Sequence, residues 1–82
     1  MITIYQAEWC PYCKNIRDWI SENLNGIPII FVSQPHDRKD RKETIEVSDQ
    51  SFIPTMKDDK TGVVIADDDK KIIDYLKKKF HK

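Results

Sequence analysis

Two cysteines three residues apart, Cys10 and Cys13, stand between a β-branched segment and an amphipathic helical pattern. This arrangement constrains the fold more than anything else in the chain. Ile2-Thr3-Ile4-Tyr5 reads as a short strand. Pro11 suits the first position of a helix, where its missing N–H costs nothing. Cys13, Ile16, Ile20 and Leu24 then recur at spacings of three and four, so a helix is expected to about Asn23 or Leu24, with Asn25-Gly26 ending it. A Cys-x-x-Cys at a strand-to-helix junction lies on the first helical turn, with both sulfurs on one face. There the free N–H groups and the positive end of the helix dipole favour thiolate over thiol at the first cysteine. Lys14 and Arg17 add positive charge close by, and Glu8 opposes it. Cys13, inside the helix, is expected to stay a thiol until it is used.

The rest of the chain supplies the partners of this unit. Ile29-Ile30-Phe31-Val32 is continuously apolar, as for a central strand covered on both faces. Asp37 to Val47 is highly charged, with Ile45 and Val47 as anchors, and is expected to be one helix. Its Arg38, Lys39, Arg41 and Lys42 alternate with acids and read as a solvated face. Phe52 to Met56 reads as a strand beginning at a proline. Asp58 to Gly62 is a hairpin turn, and Val63 to Ala66 is the returning strand. Asp67-Asp68-Asp69 opens a last helix whose buried stripe is Ile72, Ile73, Leu76 and Phe80. Lys77, Lys78 and Lys79 suit the negative end of that helix and read as solvated. The order is β-α-β-α-β-β-α. A helical crossover makes the first two strands parallel, and a tight turn makes the last two antiparallel. An α/β domain follows, with a four-stranded mixed sheet flanked by helices.

Eighty-two residues make one domain, 1–82. Fourteen basic and fourteen acidic side chains cancel, so no global field calls for nucleic acid or an anionic membrane. No apolar run is long enough to span a bilayer. With no signal-like start, the expected setting is cytoplasmic, and a local cysteine pair there is catalytic, redox-sensing or metal-binding rather than a staple. A closed zinc site needs two more ligands, which only a convergence of His36 and His81 would supply, so no metal is expected. A redox-controlled protein-interaction module is the alternative from another functional class.

Order and motif together resemble the thioredoxin fold in its minimal, glutaredoxin form, over nearly the whole chain. Cys10-Pro11-Tyr12-Cys13 is identical to the active-site motif of dithiol glutaredoxins. Ile53-Pro54 is similar to the family's Val-Pro, whose proline is cis and faces the cysteines. Ala66 to Asp69 followed by Ile72-Ile73-Asp74-Tyr75-Leu76 is similar to the N-terminal domain of glutathione transferases. The resemblance implies a thiol–disulfide oxidoreductase. Cys10 would be its nucleophile and Cys13 its resolving thiol. Tyr12 and Trp9 would flank the substrate, Ile53 and Pro54 would shape its groove, and Asp67 and Asp68 would stand where the family holds the γ-glutamyl end of glutathione. No cofactor is bound permanently; glutathione is the implied co-substrate, and disulfide-containing proteins or glutathione mixed disulfides are the implied partners of a monomer. Four positions depart from the family pattern: Trp9 before the motif, as in thioredoxins; Ala7, where many glutaredoxins have a glutathione-binding lysine; Asp49 for a glycine; and the three aspartates for Gly-Gly. Trp9 and the added negative charge suit the alternative within the class, a thioredoxin-like reductase that does not use glutathione.

Overall fold

The computed structural model describes residues 1–82. Five strand residues, Ile2–Gln6 (β1), turn Ile2, Ile4 and Gln6 to one buried face. The following helix, Pro11–Asn23 (α1), buries Cys13, Ile16 and Ile20. Strand Ile29–Ser33 (β2) pairs parallel to β1, with Ile2 opposite Ile29 and Gln6 opposite Ser33. A short helix, Lys42–Ser48 (α2), leads to the antiparallel hairpin Thr55–Asp58 (β3) and Val64–Ala66 (β4). The last helix is Asp69–Phe80 (α3). The strand order is β2-β1-β3-β4, with β3 antiparallel to β1. The main core lies between the sheet and the helices α1 and α3. There Ile2, Ile4 and Met56 meet Ile16, Ile20, Leu24, Ile72 and Leu76. No helix is long and apolar enough to cross a membrane.

Four local expectations need correction. β2 is an edge strand and not a central one: Ile30 is 45% exposed and Phe31 39%. The β1-α1-β2 crossover places β2 on one side of β1, and the hairpin takes the other side, so β1 and β3 become central. An apolar run alone does not distinguish the two positions. The charged segment is not one helix. A single 3-10 turn, Arg38–Asp40, stops at Arg41, whose ψ of 66° is not helical, and α2 starts after it. β3 starts at Thr55 rather than Phe52, because Pro54 has no N–H for a ladder; the Ile53–Pro54 bond before it is cis. Asp58 belongs to β3 and is fully buried, so the turn is Asp59 to Gly62, closed by Gly62 at φ 75°.

Asp49 ends α2 in the left-handed conformation, φ 60°. Aspartate is among the few residues other than glycine that adopt this conformation readily.

Candidate active site

Cys10 caps α1. Its extended backbone precedes the first helical turn, and its sulfur accepts the Cys13 backbone N–H at 3.4 Å. The Cys10 carbonyl starts the helix by accepting the Lys14 N–H at 3.0 Å. Both sulfurs are free thiols, and both residues are buried with Ala7 and Ile53 in a small apolar cluster apart from the main core. Burial pushes the Cys13 thiol up to about 12, and its hydrogen bond to the Cys10 sulfur acts in the same direction. A hydrogen bond from the Ala7 backbone and the charge of Arg17 pull it down by less. Cys13 therefore holds its proton at neutral pH, whereas the Cys10 sulfur accepts one helix N–H, that of Cys13.

The basic residues of α1 serve the scaffold. Lys14 pairs with Asp18 at 2.6 Å on the exposed face. Arg17 donates to the Gln6 side chain at 2.5 Å and to the Ala7 and Glu8 carbonyls at 3.1 and 3.4 Å. It thus pins the loop that delivers Cys10. Gln6 continues this wiring, because its carbonyl accepts the Gln34 N–H at 2.7 Å. The Gln34 side chain in turn accepts the buried Thr44 hydroxyl of α2 at 3.0 Å. None of these polar links is visible as a pattern in the sequence.

Tyr12, Phe52, Pro54, Asp67, Asp68 and Asp69 line a cleft of about 450 Å³ beside the cysteine cluster. Tyr12 stands 60% exposed at its rim. Asp67 adopts φ 56°, and its N–H is taken by the Pro54 carbonyl at 2.9 Å, which joins the start of α3 to the cis-proline segment. Asp68 caps α3 by accepting the Lys71 N–H at 3.0 Å, and Asp69 accepts the Asn15 amide of α1 at 3.1 Å. Two of the three aspartates are thus engaged in the fold, and the Asp67 carboxylate is the exposed one. Trp9 lies outside the cleft, 52% exposed, with its ring 4.6 Å from that of His36.

Ile53 is the remaining predicted residue. Its side chain is buried against the cysteines, while its N–H and C=O take part in none of the chain's hydrogen bonds. Unpaired backbone next to Cys10 is a place where an incoming strand can pair. Phe52 lines the cleft unanticipated by the sequence reading, and Arg38 lies 4.7 Å above its ring. Arg41 is also a correction: it is 4% exposed rather than part of a solvated face. Lys79 likewise is not free in solvent, because it bonds the buried Asp58 at 2.6 Å. His36 sits on Trp9, His81 ends α3, and no group of three or more metal-ligating side chains forms.

A cysteine at a helix N-cap, a second buried one turn later and a cis-proline across from them define a thioredoxin-fold dithiol domain. The family model for the N-terminal domain of glutathione S-transferases matches residues 4–82, and the chain belongs to that family. It is also 33% identical, over 93% of its length and 96% of the relative's, to an uncharacterized glutaredoxin-like 8.6 kDa protein in the rubredoxin operon of Clostridium pasteurianum. No solved structure gives a significant match.

Proposed function

We propose that this protein is a glutaredoxin-like dithiol oxidoreductase in which Cys10 attacks and Cys13 resolves. The observation that carries the reading is the asymmetry of the pair. Cys10 sits at the helix N-cap with an N–H on its sulfur, and Cys13 is buried and held as a thiol. The Cys10 thiolate attacks one sulfur of a substrate disulfide, and the other sulfur leaves as a thiolate that takes a proton from water. Cys13 then attacks Cys10. Its proton passes to solvent or to the departing substrate thiolate, and the protein is left with a Cys10–Cys13 disulfide. The substrate gains two electrons and the protein loses two. A thiol donor, either two glutathione molecules or the dithiol of a reductase protein, returns them.

The cleft supports a substrate laid between Tyr12 and Pro54, with its backbone along Ile53. The reading is tested by disulfide reduction with a thiol donor in excess. Wild type turns over and Cys10→Ser does not; full activity in Cys10→Ser overturns the assignment. Asp67, Asp68 and Asp69 favour a second reading of the donor. Three carboxylates at the cleft disfavour the γ-glutamyl carboxylate of glutathione and suit reset by a reductase protein. Comparing glutathione with a thioredoxin-reductase system as donor separates the two.

A further inference from the structure

Arg41 carries a charge into the protein without a carboxylate to meet it. It is 4% exposed and takes part in no ion pair. Its guanidinium donates instead to three backbone carbonyls: Nε to Pro35 at 2.9 Å, Nη2 to His36 at 2.9 Å and Nη1 to Ser51 at 3.0 Å. It also lies 5.7 Å from the Trp9 ring, on which His36 is stacked. Burying a cation against carbonyl dipoles alone is unfavourable unless the geometry is well matched, and the planar fork of arginine supplies that match.

The two segments it joins flank Cys10. Pro35-His36 supports Trp9, the residue before the nucleophile. Ser51 is two residues before Ile53. On the far side of that residue the segment is also wired: the Phe52 N–H donates to the Gln50 side chain at 2.7 Å, and its carbonyl accepts the Thr55 hydroxyl at 2.8 Å. From Phe52 to Pro54, only the backbone groups of Ile53 remain unpaired. We infer that Arg41 is a positioning residue, which through Ser51 and His36 holds the Ile53 edge, and the loop that carries Trp9, in place for an extended peptide disulfide beside Cys10. This rests on the dithiol-exchange reading above. Arg41 does not touch the substrate. It serves substrates that have a peptide backbone and is irrelevant to small disulfides that have none.

The test compares wild type with Arg41→Lys and Arg41→Gln on two substrates: a five-residue peptide disulfide, and hydroxyethyl disulfide, which has no backbone to pair. Lysine presents its donors from one atom and cannot span the three carbonyls. In both variants KM for the peptide disulfide is expected to rise about tenfold, the worth of about one lost backbone hydrogen bond, with kcat within about twofold. Reduction of hydroxyethyl disulfide and alkylation of Cys10 by iodoacetamide stay within about twofold of wild type. Unchanged peptide KM, full rescue by lysine, or an equal loss on both substrates overturns the inference. If neither variant folds, protein that keeps Arg41 decides. The Arg41 Nε proton should exchange slowly with solvent, and the Ile53 amide should become protected only when a peptide is trapped on Cys10 in Cys13→Ser. Fast exchange at Nε, or no protection at Ile53, overturns it. Absence of any disulfide reduction by wild type removes the dithiol reading itself, a different result from selective failure of the variants.

Discussion

Raising the pH should reveal how tightly the fold holds the Cys13 proton. The thiol has an ordinary value of 9.0, and burial first, then the hydrogen bond to Cys10, pushes it to about 12 in the folded protein. The folded state therefore keeps a proton that the unfolded state gives up between those two values. Stability from this group is fully present below about pH 9, and it declines as pH rises toward the folded value. The expected slope is about −1.4 kcal/mol per pH unit in that window. Cys13→Ala loses some packing at every pH but should lose this slope. Tyr5, whose pKa is raised mainly by its burial and also by Asp59, Glu43 and Glu46, titrates in both proteins and cancels in the comparison. The assay is urea unfolding at half-unit steps from pH 8.5 to 11, with a reductant that keeps both thiols free. Wild type and Cys13→Ala should converge by about 1.6 kcal/mol between pH 9 and 10.5. Parallel curves would show that Cys13 is not held as a buried thiol, and the division of roles between the cysteines would lose its physical basis.

Asp58 should act at the other end of the pH range. Burial pushes its carboxyl up, but hydrogen bonds from Lys79 and Tyr75 and from the Lys60 N–H outweigh this and hold it well below the ordinary carboxylate range. Its contribution is present above about pH 4 and lost as pH falls further. Asp58→Asn should cost about 2 kcal/mol at pH 7 and flatten the acid limb of a stability curve; an unchanged limb would contradict the assignment. Ile16 is fully buried in the main core, so Ile16→Ala should cost about 3 kcal/mol in urea unfolding, and a loss under about 1 kcal/mol would show that the site collapses around the gap. Cys13→Ser should accumulate a mixed disulfide on Cys10, visible by mass, when mixed with a peptide disulfide. Rapid release without Cys13 would remove its resolving role.

Much of the fold was legible because its signals are short-range. The stripe of Cys13, Ile16 and Ile20, the N1 proline and the aspartates before α3 each act within a turn or two of themselves. The cysteine spacing was equally local, whereas the place of Ile53-Pro54 opposite the cysteines came only through the family resemblance. Polar partners were not legible. Asp58 reads as a turn residue in sequence, yet Tyr75 and Lys79, seventeen and twenty-one residues on, enclose it. Arg41 reads as one of four solvated cations, yet its carbonyl partners lie five to ten residues away on two loops.

The sequence alone determined the element order, the direction of the crossovers and the pair of sulfurs at the head of a helix. Propensity, periodicity and capping set all of these within a few bonds of each residue. Tertiary structure decided which strands are central, which charges are buried and how firmly Cys13 keeps its proton. An apolar run does not say which neighbour covers it. A charged side chain does not say whether carbonyls from elsewhere will solvate it in place of water. The proton on Cys13 is held by the burial that Ala7 and Ile53 provide from outside its helix, and only the closed fold brings them there.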